Sequence, residues 1–164
     1  MDDILTLLLE NSANKPYFHL DEYMDRWWLV EEQKDLNVSV RLHHLLRSDQ
    51  DAWMHDHPFS NVSIGIQGGY WDITPKDQAQ SPELDAIENN RVWCGPGTII
   101  SRKATDRHRI EIPEGGEAWS LFIMGPWTRD WGFHTADGWV YYRDYLGIPL
   151  DAPKAPVGST VKAR

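Results

Sequence analysis

The tripeptide His55-Asp56-His57 has the clearest capacity for chemistry in this sequence. On an extended strand, side chains two residues apart project to the same face, with Cβ atoms roughly 6–7 Å apart. Two imidazoles held inward at that spacing reach one divalent ion at about 2.0–2.2 Å from each nitrogen. A second stretch runs from Gly97 to His108: a turn leads into a strand, a polar connection follows, and a histidine opens the next strand. Seven histidines in 164 residues are also more than a surface collects by accident.

Elements that could present these residues are mostly strands. Residues 2–14 read as a short helix, with acids at its start, a leucine cluster, and Asn and Ser at its end. Residues 17–35 fit two readings, one of which places Tyr23, Trp27 and Trp28 on one helical face. From Asn37 the pattern becomes period 2, with Val38, Val40, Leu42, His44 and Leu46 alternating against Ser39, Arg41, His43 and Arg47. Residues 53–59 alternate again, and 61–73 place Val62, Ile64 and Ile66 on one face ahead of a Gly68-Gly69 turn or bulge. Residues 75–91 are polar, hold two prolines and read as a long exposed loop. Strand signals resume at Val92-Trp93, then flank the tight turn Gly95-Pro96-Gly97, and recur at 108–112 and 118–124. A hairpin is expected over 131–142 about Ala136-Asp137-Gly138. Many short strands between Gly and Pro turns predict an all-β fold, a jelly-roll barrel with a short N-terminal helical segment. The expected layout is a helical and extended segment over 1–36 packed on the barrel, the barrel over 37–149, and a flexible tail over 150–164.

Composition excludes several function classes. The length suits one domain and is too short for a dinucleotide-binding domain plus a substrate domain. A formal charge of −9 is the wrong sign for gripping nucleic acid. The single cysteine, Cys94, excludes an internal disulfide and a Cys-only zinc site. The sequence shows neither a signal peptide nor an apolar run of the roughly 20 residues that span a bilayer, so a soluble cytoplasmic protein without membrane partners is expected. Nucleotide-binding glycine loops, nucleophile elbows and HExxH are absent. Nine tryptophans serve as core filler for a small β fold, or line a ligand pocket.

Taken together, the two histidine stretches resemble the two motifs of the cupin superfamily over roughly residues 38–125. His55 and His57 match the first motif, and Gly68 or Gly69 falls at its closing glycine. Gly97 and His108 carry the spacing of the second, with Lys103 and Thr105 in place of its Pro and second Gly. Asn61 or Val62 stands where many metal cupins place a Glu ligand. The resemblance therefore implies a three-histidine site of His55, His57 and His108, most like the thiol dioxygenases, of which cysteine dioxygenase is the best known. Fe(II) is the favoured ion, and Zn, Ni and Mn remain open. Around such a site, Arg41 and Arg102 are candidates to hold a substrate carboxylate through a two-pronged donor set, and Tyr70 to line the pocket. Asp106 is a candidate to accept the second N–H of a ligand imidazole. His44 is placed beside the site if the Val38-Val40-Leu42 face is the core face. Arg107 and Arg109 flank His108 and are read as surface residues, and His19 and His134 as uninvolved.

The functional expectation is a mononuclear non-haem iron enzyme of dioxygenase type acting on a small molecule. A Zn- or Mn-dependent isomerase or lyase, and a non-enzymatic binding or structural cupin, are the alternatives. Family analogy adds a homodimer.

Overall fold

The computed structural model describes residues 2–12, 18–20, 23–30 and 37–151. The period-2 segments form strands β1 (Phe18–Leu20), β2 (Met24–Val30), β3 (Ser39–Leu45), β4 (Asn61–Gly68), β5 (Tyr70–Pro75), β6 (Asn89–Cys94), β7 (Ile99–Arg102), β8 (Arg109–Glu111), β9 (Ala118–Met124), β10 (Gly132–Thr135) and β11 (Gly138–Tyr141). Helices α1 (Asp2–Asn11) and α2 (Tyr142–Leu146) precede and follow them, and a 3-10 turn spans Pro82–Leu84.

One antiparallel sheet runs in the order β1-β2-β3-β9-β4-β7, and a smaller one in the order β6-β5-β8. The hairpin β10-β11 pairs only with itself, but two isolated bridges join it to the smaller sheet through residue 55. His55 exchanges main-chain hydrogen bonds with His108 (2.9 and 3.0 Å), while its neighbours Met54 and Asp56 bond to His134 and Gly132 of β10. Pairing leaves the sheets open, so the closed barrel expected from the strand pattern is not formed among the described residues.

Strand alternation gives the larger sheet two apolar faces. Its inner face carries Met24, Leu45 and Ala118 against Tyr70, Cys94 and the partly buried Ile110 and Ile112 of the second layer. Its outer face carries Trp27, Leu42 and Trp119, covered by Leu5, Leu8 and Leu9 of α1. Covering one such large side chain stabilises by about 1.5–3 kcal/mol, so α1 has a strong reason to dock there. Trp131, Phe133 and Tyr142 hold α2 against the hairpin, with the Trp131 and Tyr142 rings stacked at 4.6 Å.

The two readings open for residues 17–35 resolve over 24–30 to a strand of the larger sheet, in which Arg26 and Trp27 alternate inward and outward against β3. Residues 53–59 are not a strand; main-chain pairing is confined to the bridges at residue 55, and Pro58 lacks a donor to continue a ladder. The polar segment 75–91 is mostly exposed, as expected of a loop, but its ends belong to β5 and β6, a 3-10 turn lies within it, and Arg107 anchors it, as described below. β4 bulges between Gly65 and Gln67 where the Gly95-Pro96-Gly97 turn folds onto it. A Cβ at Gly65 would lie 2.1 Å from the Gly95 carbonyl oxygen, so only glycine permits that approach. Among the described residues no helix is long and apolar enough to cross a membrane. Residues 152–164 of the expected tail lie outside the described residues.

Candidate metal centre

The bridge at residue 55 places the first histidine beside the third, and the extended chain places His57 on the same side. Ring centroids are 5.2 Å apart for His55 and His57, 4.9 Å for His55 and His108, and 5.1 Å for His57 and His108. One ring nitrogen from each lies within 4.8 Å of the other two. Three nitrogens on one ion at about 2.1 Å stand roughly 3.0–3.6 Å from one another. Inward shifts of at most about 1 Å per ring therefore close the set on a cation.

The protonation states fit a metal. His108 Nδ1 is 2.6 Å from Asp72 Oδ1, so its N–H faces the carboxylate and its Nε2 faces the other two rings. That Nε2 is buried without a hydrogen-bond partner, which is costly unless something accepts its lone pair. Burial, reinforced by Arg102 and opposed by Asp72, lowers the His108 pKa to about 4. Burial and the neighbouring His108 and His55 likewise hold His57 well below the usual histidine value. Neutral imidazoles are the form that binds metal.

Asp72 is 3% exposed. Burial pushes its pKa up, but His108 and the ion pair with Arg102 outweigh that and hold it well below the usual carboxylate range. His55 Nδ1 lies 3.8 Å from Asp49 Oδ2. Asp49 in turn accepts from Tyr23 Oη and from the Ile110 amide. Asp56, turned away from the triad, accepts from the Gly132 amide (2.9 Å), His134 Nε2 (3.0 Å) and Trp139 Nε1 (3.0 Å), and pairs with Arg129 Nη1 (2.8 Å). It fastens the hairpin behind the two ligand candidates, so His134 supports the site's frame rather than standing apart from it.

Beneath the triad, between the sheets, is a cavity of about 80 Å³ with Leu45, Phe59, Phe122 and Trp131 among its walls. Tyr70 and Arg102 both line it, Arg102 with its guanidinium paired to Asp72; the Tyr70 hydroxyl is 3.4 Å from Ser63 Oγ. The structure does not bring the other candidates to it. Arg41 is buried on β3 with its guanidinium 4.2 Å above the Trp28 ring, outside the cavity wall. His44 is on the outer face, 2.8 Å from Glu117 Oε2 and stacked on Trp119 at 3.9 Å. His43 faces the cavity instead, because the Val40-Leu42 face meets α1. Asp106 accepts from the Lys103 amide in a turn, and Asp72 bonds His108 in its place. A charged residue two positions from Tyr70 was the signal for Asp72 in the sequence. Asn61 is buried, yet it lines no part of this cavity, and its side-chain oxygen and nitrogen have no partners.

Arg107 is not a surface residue. It is 3% exposed and donates to Asp85 (2.8 and 3.0 Å) and to the carbonyls of Gln78 (2.8 Å) and Gln80 (2.7 Å). The polar segment is thereby tied to the residue preceding His108.

No family model matches the chain, and no curated protein resembles it in sequence. Solved structures do resemble it. A protein described as a putative mannose-6-phosphate isomerase from Ralstonia eutropha superposes with a TM-score of 0.50 at 16% identity, covering 70% of this chain and 93% of its own. A cupin-like protein from Thermotoga maritima gives 0.49 at 12% identity over 84% of this chain and 96% of its own. An Fe(II)-HppE structure gives 0.47 at 12% identity over 66% and 53%. Three of the solved structures it resembles are described as a cupin-like protein, a cupin superfamily protein and a cupin domain, and this chain is mostly β, with a small helical content. The histidine triad inside it is a set that could hold a metal ion.

Proposed function

We propose that this chain is a metal-dependent enzyme acting on a small molecule, with Fe(II) as the favoured ion and a dioxygenase-like reaction. The observation that carries the reading is the convergence of three imidazoles, His55, His57 and His108, on one cavity. Such a set suits Fe(II), Zn(II) or Ni(II) by ligand type and leaves coordination places for substrate. Iron held there supplies one-electron and O2 chemistry. The three-histidine set without an acidic ligand is also the feature shared with the thiol dioxygenase resemblance. The chain's own groups have defined parts. Asp72 orients His108, Asp56 braces the segment between His55 and His57, and the aromatic wall of Phe59, Phe122 and Trp131 keeps water from the reacting atoms. Tyr70, pushed up to about 12 by burial, stays protonated and offers a hydroxyl donor inside the cavity.

The test is elemental analysis of protein produced without chelator, beside a His55→Ala, His57→Ala double variant. About one ion per chain is expected in the parent and none in the variant; equal metal in both removes the assignment. Oxygen uptake after Fe(II) is restored under reducing conditions, and none with Zn(II), separates oxygenation from Lewis-acid chemistry.

A further inference from the structure

The three imidazoles of the triad are not held alike. His55 and His108 are tied to each other through the main chain in both directions, at 2.9 and 3.0 Å. His57 is outside that exchange. Its amide donates to the Ala104 carbonyl (3.1 Å), and its own carbonyl accepts from the partly exposed Arg129 (3.3 Å).

The side chains differ more. Behind His108 stands Asp72, 2.6 Å from Nδ1 and itself fixed by Arg102. Behind His55 stands Asp49, whose Oδ2 is 3.8 Å from Nδ1, longer than a hydrogen bond but within reach of an ion pair. Asp49 is fixed as firmly as Asp72. Tyr23 Oη donates to one of its oxygens and the Ile110 amide to the other (2.8 Å), while its own amide donates to the Ile110 carbonyl (3.0 Å). Behind His57 there is no such group among the described residues. Its Nδ1 is buried without a hydrogen-bond partner, and nothing described bonds to its Nε2. Its other neighbours are aromatic, with the Phe59 ring at 6.1 Å and the Phe122 ring at 6.3 Å. An imidazole that gives its second N–H to a carboxylate is a stronger ligand with a fixed ring angle, worth about 10–100-fold in affinity. Whichever nitrogen of His57 meets the ion, the other has no acceptor, so packing alone restrains the ring.

We propose that His55 and His108 anchor the ion and that His57 is the labile third ligand, whose place a chelating small molecule takes over. The inference rests on the metal reading above and concerns how the ion is shared among the three rings. Phe59 and Phe122, which flank His57, line the cavity, so a place given up by His57 opens onto the space where a substrate would enter. Asp49, held by Tyr23, is then the positioning residue for His55, as Asp72 is for His108.

The test is affinity for Zn(II) and Co(II), read by competition with a coloured chelator on the full chain and on single variants. His57→Ala is expected to weaken binding about tenfold, and His55→Ala and His108→Ala at least about a hundredfold each. Asp49→Asn is expected to weaken it about tenfold in the parent and to change nothing in the His55→Ala background, because Asp49 acts through that ring. Equal losses in the three histidine variants, or the largest loss in His57→Ala, overturn the proposal. An Asp49→Asn effect that is the same in both backgrounds overturns the positioning role. If His57→Ala does not fold by circular dichroism, the Zn(II)-loaded parent with isotope-labelled histidine decides. Relaxation dispersion at the ring nitrogens is expected for His57 alone, and dispersion at all three rings or at none overturns the proposal. A parent that binds neither ion sinks the metal reading and this inference with it, whereas a parent that binds one ion and loses it equally through each histidine sinks only this inference.

Discussion

Replacing Asp72 by Asn leaves the shape of the side chain and removes the charge on which two buried partners depend. The carboxylate accepts from His108 Nδ1 at 2.6 Å on one oxygen and pairs with Arg102 on the other. A carboxamide keeps one acceptor and turns an NH2 against either the imidazole N–H or the guanidinium. Two losses follow. Carboxylates behind metal-bound histidines are worth about 10–100-fold in affinity, which is about 1.4–2.8 kcal/mol. Breaking a buried ion pair on one side costs about 3 kcal/mol or more, because Arg102 is left in the interior without its counter-charge. At about 2–4 °C per kcal/mol for a chain of this length, Tm should fall by at least about 6 °C. Competition against a coloured chelator reads the first number, and calorimetry of the metal-free variant reads the second. A variant that loses stability but binds Fe(II) or Zn(II) as tightly as the parent refutes the orienting role. One that changes in neither respect refutes the buried pair itself.

Other outcomes follow from the same geometry. His108 titrates at about 4 in the folded protein against about 6.5 in the unfolded chain. Between those values the unfolded state takes up a proton that the folded state refuses, so metal-free stability falls as pH is lowered from 6.5 to 4, by about 3 kcal/mol in all; urea unfolding at pH 7 and pH 4.5 checks it, and a flat profile contradicts it. Asp56→Ala should cost about 3–5 kcal/mol by orphaning the groups on the hairpin that it holds, with faster hydrogen exchange at the Gly132 amide as the local sign; exchange at the parent rate would mean that Asp56 is no clasp. Arg107→Ala should release the segment 76–88, making trypsin cleavage after Lys76 at least tenfold faster, whereas an unchanged digestion rate would show that the segment is held by something else.

The His55–His57 pair and most of the strands were legible in the sequence because each rests on a short, local regularity, whereas His108 joined the pair only through the resemblance to the second cupin motif. An i, i+2 histidine pair, a Gly-Pro-Gly turn and an Ala-Asp-Gly hairpin tip all act over a few residues. The hairpin over 131–142 is found where expected, as β10 and β11. What was not legible depends on partners far along the chain. The sheet has an apolar layer on each side, so period 2 alone could not say which layer faces the cavity. Period 2 with a Val38-Val40-Leu42 core face puts His44 inside, whereas α1 covers that face and leaves His43 inside instead. The adjacent Trp27 and Trp28 obscured the alternation of β2, since one packs under α1 and the other lies against Arg41. Asp72 and Arg107 were hidden for a related reason: a buried charge is recognisable only when its counter-charge is known, and Arg102 and Asp85 come from other elements.

Residue 55 bonds its main chain to both His108 and Phe133. During synthesis the first two imidazoles leave the ribosome long before either of those partners exists. A nascent chain that stops short of residue 104 thus has His55 and His57 without any of their main-chain partners, and one that stops short of 133 has only part of them. Assembly of the three imidazoles is then a late event, waiting on the longest loops to close.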